Sequence, residues 1–305
     1  MKRKDILGIK DLSKSEITEI LQTANGFRSV IDGKERRTHL SGKNVATLFY
    51  ENSTRTRNSF DIAAKTLGAS TTGITASTSS VQKGESLIDT GKTLDSLGID
   101  AIVIRHPVGG APRLLADNVK ASVINAGDGM NEHPSQALLD ALTAQRHFGD
   151  LSGLKLVIVG DIKHSRVARS DALVFTRLGA SVTVCGPYTL IPDGIESFGV
   201  TVDTDLENAV AGANIIMPLR LQTERMNQAY IPSVEEFHMY YGVGLKHLAM
   251  AADDAVVMHP APINRGAEIS GDVADCDRSL IQEQVKNGVA VRMAMLYLLL
   301  QGGAK

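Results

Sequence analysis

The sequence predicts an α/β protein built from two doubly wound parallel-sheet domains, joined by interdomain helices, with a C-terminal helix that returns to the first domain. Three observations lead to this prediction. The chain has 305 residues, which exceeds the usual size of a single domain. Short apolar runs of strand length alternate with segments whose apolar residues recur at helical spacing, a pattern typical of parallel sheets covered by helices. This alternation occurs twice, once in each half of the chain.

The first half contains three apolar runs that end in polar turns. Buried strands are predicted at these runs, residues 45–50, 101–104 and 122–124. Helical periodicity predicts helices around them, at residues 14–30, 56–67, 87–97 and 113–118. Strands that alternate with helices in this way predict a parallel sheet in the first domain.

The second half repeats the pattern after a connecting helix at residues 134–148, which has proline at its start and Gly149 after its end. A helix is predicted at residues 165–178, and strands are predicted at residues 155–159, 181–184, 215–217 and 255–258. The apolar stretch at residues 289–300 is too short to span a bilayer and is expected to pack on the first domain. We therefore divide the chain into a first domain, residues 1–132 plus 288–305, and a second domain, residues 133–287.

Composition excludes several classes of protein. The formal net charge is −2, with charges of both signs interspersed, which argues against a nucleic-acid partner. No apolar run has membrane length and no apolar core follows the basic N-terminus, so we expect no membrane partner and a cytoplasmic location. Cys185 and Cys276 lie far apart without a CxxC pattern, so neither a zinc site nor a disulfide framework is expected.

The segment from Ser53 to Arg57, here called the phosphate turn, carries the strongest functional signal. It follows a predicted strand, opens a predicted helix, and places three hydroxyl and two guanidinium groups within five residues. Free N–H groups at a helix N-terminus and guanidinium groups favour a doubly charged oxyanion such as phosphate. The segment has no glycine between Gly42 and Gly68, unlike a Walker A loop, so the anion should be small and bound end-on. The alternative is that Ser53 or Thr54 only caps the helix and the arginines are solvated.

The first turn of the second half tests a nicotinamide site. A dinucleotide fingerprint requires Gly-x-Gly-x-x-Gly, but only Gly160 is present, with Ile162 and Ser165 at the later glycine positions. This weakens the dehydrogenase hypothesis without excluding it. A non-catalytic binding module for a small phosphorylated metabolite is a further alternative, which would need the phosphate turn but no arginines for a second ligand. Arg166 begins a helix here, where open α/β sheets place ligand sites.

Other polar turns follow predicted strands or helices. They are Arg105-His106-Pro107, His133-Pro134-Ser135-Gln136, His259-Pro260-Ala261-Pro262, Leu219 to Arg225, and the loop from Ser77 to Ser86 that carries Lys83. Proline leaves neighbouring carbonyls outside sheet pairing, so they can accept a hydrogen bond from a ligand amide. Arg220 is suited to bidentate binding of a carboxylate.

Together these motifs resemble, in order and over nearly the whole chain, the motif set of the aspartate carbamoyltransferase catalytic chains. Ser-Thr-Arg-Thr-Arg and His-Pro-x-Gln are shared by carbamoyltransferases generally. Ornithine enzymes typically have His-Cys-Leu-Pro and Asp-x-x-Ser-Met-Gly, whereas this chain has His259-Pro260-Ala261-Pro262 and lacks the second motif. The resemblance therefore implies transfer of a carbamoyl group from carbamoyl phosphate to L-aspartate, a step of de novo pyrimidine biosynthesis, without a cofactor or metal. Ala261 replaces a leucine of some relatives, but only its backbone carbonyl is needed.

The resemblance also implies the role of each site residue. Carbamoyl phosphate is expected to contact Ser53, Thr54, Arg55, Thr56, Ser79, Arg105, His133, Gln136, Pro260 and Ala261. Within this set, Thr56, Arg105 and His133 would stabilise the carbonyl oxygen as negative charge develops. Gln136 and the carbonyls of Pro260 and Ala261 would orient the carbamoyl NH2. Aspartate is expected to contact Lys83, Arg166, Arg220 and Gln222.

In the family the active site is shared between the chains of a homotrimer. Ser79 and Lys83 would then contribute to the active site of a neighbouring chain. Lys83 and Arg55 are both expected to be catalytic residues. Glu51 resembles a residue that pairs with Arg166 and Arg225 when the domains close. Catalytic chains of this family work alone, with zinc-bearing regulatory chains, or with dihydroorotase. The resemblance therefore does not decide whether this chain has regulatory chains or dihydroorotase as partners.

Overall fold

The computed structural model of the chain describes residues 1–75, 84–226 and 229–302. The chain forms two compact units, one of Met1–Leu142 with Lys286–Lys305 and the other of Thr143–Val285. Each unit contains its own parallel sheet with helices between successive strands. This confirms the predicted fold class. Among the described helices, none is both long enough and apolar enough to cross a membrane.

The sheet of the first unit has the order β2-β1-β3-β4, and its neighbouring strands are parallel. The strands are β1 (Asn44–Phe49), β2 (Ser70–Thr75), β3 (Ala101–His106) and β4 (Ser122–Asp128). Strand β2 was missed in the sequence, because its residues are mostly serine, threonine and glycine and give no apolar run. Such a strand is compatible with its position at the sheet edge, where pairing with β1 alone holds it.

Helices of the first unit flank this sheet. They are α1 (Lys14–Asp32), α2 (Thr54–Thr66), α3 (Leu87–Ser96), α4 (Ala111–Ala116) and the start of α5 (Pro134–Phe148). Buried side chains from α3 and α4, such as Leu94 and Leu115, pack against Leu48, Ile102 and Ile104 of the sheet. The burial of this apolar surface fixes the strand ends from which the site residues project.

The sheet of the second unit has the order β7-β6-β5-β8-β9 and is also parallel. Its strands are β5 (Lys155–Gly160), β6 (Ser181–Cys185), β7 (Thr201–Asp203), β8 (Ile215–Leu219) and β9 (Val256–Val257). Its helices are α6 (Arg166–Leu178), α7 (Leu206–Val210), α8 (Val234–Tyr241), α9 (Leu245–Met250) and α10 (Gly271–Ala274). The sequence missed β7 and α7 to α10, because each is too short to show a hydrophobic period. It also made β9 too long.

The last helix, α11 (Ile281–Gly302), packs on α1 of the first unit. The Tyr297 ring lies edge-on to the Phe27 ring with 5.5 Å between centroids. The Arg28 guanidinium, which is buried, donates to Asn287 Oδ1 at 2.6 Å. The prediction that the C-terminal helix returns to the first domain is therefore confirmed.

Both sheets reverse their strand order at one point. In the first sheet the reversal lies between β1 and β3, and in the second it lies between β5 and β8. The chain segments that follow the two strands at such a reversal run to opposite faces of the sheet. A crevice is left between them at the carboxyl ends of the strands, and α/β proteins bind ligands there. The phosphate turn, Arg105, Arg166 and Arg220 lie at or after the ends of these four strands, whereas His133 and Gln136 follow β4 and Pro260 and Ala261 follow β9.

Candidate active site

The phosphate turn occupies the carboxyl end of β1 and the first turn of α2. Ser53 is the N-cap of α2, with an extended backbone, and its hydroxyl makes no capping bond to the helix. The first backbone hydrogen bond of the helix runs from Arg57 N–H to the Ser53 carbonyl at 3.3 Å. The preceding amides, from Thr54 to Thr56, have no carbonyl acceptor within the helix. These amides are therefore suited to bind an anion.

Arg105 lies beside this turn because β3 pairs with β1, with Arg105 opposite Phe49. Its guanidinium donates from Nε to Glu51 Oε2 at 3.0 Å and from Nη1 to Ser53 Oγ at 3.0 Å. The Arg105 side chain is 16% exposed and that of Glu51 is 22% exposed. The pair therefore lies at the mouth of the crevice, partly shielded from water, where charge interactions are stronger than at an open surface. The carboxylate orients the guanidinium toward the start of α2.

A cavity of about 420 Å³ opens beside the phosphate turn, within the range that small-molecule sites usually have. Its lining includes Glu51, Ser53, Thr54 and Arg57. A Cβ at Gly73 would lie 2.2 Å from Nη2 of Arg57. A side chain at position 73 would therefore displace this guanidinium.

The turn between β4 and α5 presents His133 and Gln136. Asp128 is buried and accepts hydrogen bonds from Gly110 N–H at 2.7 Å and from the Asn131 side chain at 3.0 Å. Its other oxygen accepts from the Glu132 N–H at 3.1 Å. These bonds hold the backbone that leads into α5. His133 and Gln136 are only 5% and 8% exposed.

The same region contains a histidine that favours its neutral form. The His106 ring lies 4.7 Å from the Tyr50 ring, and its Nδ1 accepts a hydrogen bond from Val108 N–H at 3.0 Å. Burial is the largest effect and lowers the pKa of His106 below its ordinary value, and burial raises the pKa of Tyr50. Both groups are therefore uncharged at neutral pH.

In the second unit, one carboxylate joins the turns after β5 and β8. Asp161 is fully buried, and its Oδ1 accepts from the His164 N–H at 3.1 Å and lies 2.8 Å from His164 Nδ1. Its Oδ2 accepts from the Gln222 N–H at 3.1 Å. Because these two turns carry Arg166 and Arg220, Asp161 fixes the backbone that supports both arginines.

The predicted aspartate-binding residues of the second unit lie on these two turns. Arg166 is the first residue of α6 and is only 3% exposed. Arg220 donates to Gln222 Oε1 at 3.3 Å, and Gln222 donates back to the Arg220 carbonyl at 3.2 Å. Arg225, predicted to act in closure, donates to the His164 carbonyl at 3.0 Å. Guanidinium groups held in this way are suited to bind carboxylates.

The turn at Pro260 and Ala261 is held by a buried pair. The Ala261 N–H donates to His259 Nδ1 at 2.8 Å, so the ring proton is on Nε2, which lies 3.0 Å from Glu268 Oε1. The same carboxylate oxygen accepts from the Asn264 N–H at 2.7 Å. The pair therefore fixes the backbone whose carbonyls were predicted to contact the carbamoyl group.

Sequence reasoning missed the acidic residues that support these turns. They are Asp128, Asp140, Asp161 and Glu268. Two had a local signal, since Asp161 directly follows the last residue of β5 and Asp140 lies one helical turn after Gln136. Ser79 and Lys83 lie outside the described residues. Within residues 1–75, 84–226 and 229–302, no cluster of three or more His, Cys, Asp and Glu side chains is arranged to hold a metal.

Two family models match the chain. The model described as "Aspartate/ornithine carbamoyltransferase, carbamoyl-P binding domain" matches residues 4–146. The model described as "Aspartate/ornithine carbamoyltransferase, Asp/Orn binding domain" matches residues 152–299. The first match contains the phosphate turn, and the second contains the turns after β5 and β8.

Full-length relatives are similar to the chain in sequence. The aspartate carbamoyltransferase catalytic subunit of Ruminiclostridium cellulolyticum is 55% identical over 304 residues, which covers 99% of this chain and 97% of the relative. The subunit of the same name from Acetivibrio thermocellus is 54% identical, with 98% and 96% of the two chains covered.

Solved structures of both acceptor types are similar to this fold. Aspartate transcarbamoylase from Trypanosoma cruzi in complex with carbamoyl phosphate and aspartate is 30% identical, with a TM-score of 0.88 and 98% and 97% of the two chains covered. Ornithine carbamoyltransferase from Thermus thermophilus is 25% identical, with a TM-score of 0.87 and 98% and 100% covered. The fold therefore accommodates either acceptor.

Proposed function

The chain belongs to the aspartate/ornithine carbamoyltransferase family, and from this premise we propose that it transfers the carbamoyl group of carbamoyl phosphate to the amino group of L-aspartate. The products are N-carbamoyl-L-aspartate and phosphate. The observation that carries the proposal is the phosphate turn at the strand reversal of the first sheet, with Arg105 bonded to Ser53 at 3.0 Å. Family membership makes the dehydrogenase and the simple binding module poorer explanations of that turn.

The first unit supplies the groups for carbamoyl phosphate. Amides of α2, the hydroxyl of Ser53 and the guanidinium of Arg105 offset the charge of the phosphate. Arg55 lies exposed on the first turn of α2, whereas Thr56 is buried there. The exposed Arg55 side chain can extend to a ligand in front of the helix, and the buried Thr56 hydroxyl is a further donor on the same turn. We assign His133 to the carbonyl oxygen, where a donor stabilises the developing negative charge.

The chemistry needs no covalent enzyme intermediate. The amine nitrogen of aspartate forms a bond to the carbamoyl carbon, and the bond from this carbon to the phosphate oxygen breaks. The proton lost from the amine passes to the departing phosphate, which becomes basic as it leaves. Binding, orientation and charge stabilisation then account for catalysis.

The acceptor is assigned from the second unit and from the relatives. Aspartate presents two carboxylates, and Arg166 and Arg220 are two guanidinium groups on adjacent turns that Asp161 joins. The relatives that are more than half identical are named aspartate carbamoyltransferase. An ornithine enzyme has a similar fold, so turnover with both acceptors is the direct test of this assignment.

Assembly and location belong to the same proposal. We propose a homotrimer in the cytoplasm, acting in pyrimidine biosynthesis, with Ser79 and Lys83 contributed to the site of a neighbouring chain. Regulatory chains or dihydroorotase are the candidate further partners. The support for the trimer and its shared sites is the resemblance of the motifs, and the name of the relatives, catalytic subunit, supports an assembly with further chains.

Turnover with labelled acceptors tests the reaction. Carbamoyl phosphate with labelled aspartate should give carbamoylaspartate, while labelled ornithine should give no carbamoylated product. A thermal-shift series adds a binding test, since a ligand at ~100 times its Kd stabilises a protein by about 2.7 kcal/mol. Carbamoyl phosphate should stabilise the chain, NAD should not, and aspartate should add stability only when carbamoyl phosphate is present. Turnover of ornithine instead of aspartate would contradict the assignment of the acceptor.

A further inference from the structure

The side-chain amide of Gln136 donates hydrogen bonds to the carboxylate of Asp140. Nε2 of Gln136 donates to Oδ1 of Asp140 at 3.1 Å and to Oδ2 at 3.2 Å. The two residues lie one turn apart on α5, and Asp140 is fully buried. Among the described residues, none donates a hydrogen bond to Oε1 of Gln136.

This contact determines which end of the Gln136 amide is presented. An ionised carboxylate can only accept hydrogen bonds, whereas an amide has an NH2 donor end and a carbonyl acceptor end. The NH2 end must therefore face Asp140, and the carbonyl oxygen is left for a ligand. An asparagine at position 140 would lack this effect, because its own amide can pair with either end of Gln136.

The same unit contains a buried cation. Arg292 of α11 is 4% exposed, and its guanidinium carbon lies 5.2 Å from the centroid of the Phe60 ring of α2. A Cβ on Gly288 would lie 2.5 Å from Nη1 of Arg292, so the glycine makes room for the guanidinium. Burial lowers the pKa of Arg292 to about 10, while the negative charge of Asp140 acts in the opposite direction. Arg292 is thus still a cation at neutral pH.

We propose that Asp140 is a positioning residue that fixes the polarity of the Gln136 amide through the two hydrogen bonds between their side chains. This inference rests on the proposed function and on the role that the resemblance implies for Gln136, which is contact with the NH2 of carbamoyl phosphate. It goes further by explaining how the site distinguishes that NH2. A buried carboxylate without a counter-charge would take up a proton, and a protonated Asp140 could donate to Gln136 and reverse the amide.

The consequence is selectivity for a donor group on the ligand. Acetyl phosphate has the size of carbamoyl phosphate but carries a methyl group in place of the NH2. The carbonyl oxygen of Gln136 can accept a hydrogen bond from the NH2 of carbamoyl phosphate. Against the methyl group of acetyl phosphate the same oxygen would be buried without a donor, which weakens binding. Inorganic phosphate has no carbamoyl or acetyl group to contact Gln136, so its affinity reports on the phosphate turn.

The test is calorimetric titration of Asp140→Asn with carbamoyl phosphate, acetyl phosphate and inorganic phosphate. The affinity for carbamoyl phosphate should fall about tenfold, whereas those for acetyl phosphate and inorganic phosphate should stay within about twofold of the unmodified chain. Asp32→Asn is the matched control, since it neutralises a carboxylate paired with an arginine on α1, far along the chain from α5. It should leave all three affinities unchanged. Equal losses for all three ligands, or no loss for any, would overturn the proposal.

Two further variants keep the test decisive if Asp140→Asn does not fold. The double variant Asp140→Asn with Arg292→Gln removes one buried negative and one buried positive charge, which leaves no single uncompensated charge in the core. It should show the same selective loss for carbamoyl phosphate. Gln136→Met should by itself lose the preference for carbamoyl phosphate over acetyl phosphate. Adding Asp140→Asn to Gln136→Met should not lower the affinity for carbamoyl phosphate further, because Asp140 acts through Gln136. An additional loss of about tenfold would overturn the proposal.

Failure of this inference and failure of the proposed function give different results. If the unmodified chain forms no carbamoylaspartate, the proposed function is wrong. If the unmodified chain forms carbamoylaspartate and Asp140→Asn retains its full preference for carbamoyl phosphate over acetyl phosphate, only the positioning role of Asp140 is wrong.

Discussion

Arg105 shows how a single side chain joins two separate motifs. It is 52 positions from Ser53 in the chain, yet its guanidinium donates to the Ser53 hydroxyl and to the Glu51 carboxylate. Arginine suits this role because its donors form a planar fork that can serve several acceptors at once. A lysine at position 105 would keep the charge but lose this geometry.

Arg105→Ala should weaken binding of inorganic phosphate by about 10- to 100-fold, because hydrogen bonds to charged groups contribute about 1.5–3 kcal/mol. The affinity of Arg105→Lys for inorganic phosphate should lie between that of Arg105→Ala and that of the unmodified chain. Titration calorimetry measures the affinities directly. Arg113→Ala is the control, since Arg113 is an exposed arginine of the same unit that pairs with Asp11. A change of less than about twofold for Arg105→Ala would remove Arg105 from the phosphate site.

Among the elements, α1 has a start that the sequence specifies locally. Ser13 is the N-cap, its hydroxyl accepts from the Glu16 N–H, and the Glu16 carboxylate accepts from the Ser13 N–H at 2.8 Å. Arg3 also donates to Glu16, from Nη2 at 3.1 Å and from Nε. The N-terminal segment is thereby attached to the helix that packs against α11.

Glu16→Gln should destabilise the chain at neutral pH and do so less in acid. The hydrogen bond from Arg3 is the largest cause that lowers the pKa of Glu16, from 4.5 to about 2. A folded-state pKa below the unfolded-state value means that the stabilisation is complete above the unfolded pKa and is lost as the pH falls toward the folded pKa. Because both side chains are partly exposed, we expect an effect of about 1 kcal/mol or less.

Urea unfolding of Glu16→Gln and of the unmodified chain measures this effect. The difference between their unfolding free energies should be largest near pH 7 and clearly smaller near pH 3.5. A difference that stays constant between these conditions would show that the charge of Glu16 is not what stabilises the start of α1.

For the molecule as a whole, the repetition of one plan is the dominant feature. Each unit has a parallel sheet with one reversal of strand order, and each places predicted binding arginines at or after the ends of the strands at that reversal. The first unit offers the phosphate turn, and the second offers turns with Arg166 and Arg220. The proposed division of labour, with one substrate for each unit, follows from this repetition.

The proposed sharing of sites in a trimer predicts complementation between two inactive chains. Arg55→Ala and Lys83→Gln should each be nearly inactive alone. When equal amounts are refolded together, sites that combine an intact Arg55 with an intact Lys83 from a neighbour should restore about a quarter of the activity of the unmodified protein, as expected for random cyclic trimers. Mixing without refolding is the control and should restore none. Refolded mixtures that remain inactive would contradict shared sites.

The predictability of the fold varied with the length and pattern of each element. Helices such as α1 and α6 are long enough to show their period, and the buried strands β1 and β5 read as apolar runs. Strand β2 and the short helices α7 to α10 had no such signal. Their positions depend on pairing and packing with distant residues, which override weak local preferences.

Local sequence by itself determined the fold class, the motif types and the chemistry that each motif suits, because hydrophobic period and side-chain chemistry are properties of neighbouring residues. The order of strands in each sheet was decided only by the tertiary structure. That order places Arg105 against Ser53 and joins Asp161 to Gln222, which lies 61 residues away. It also decided that Arg292 lies over Phe60. Contacts of this kind arise from the burial of whole elements against one another, and a short sequence window contains no information about which elements will meet.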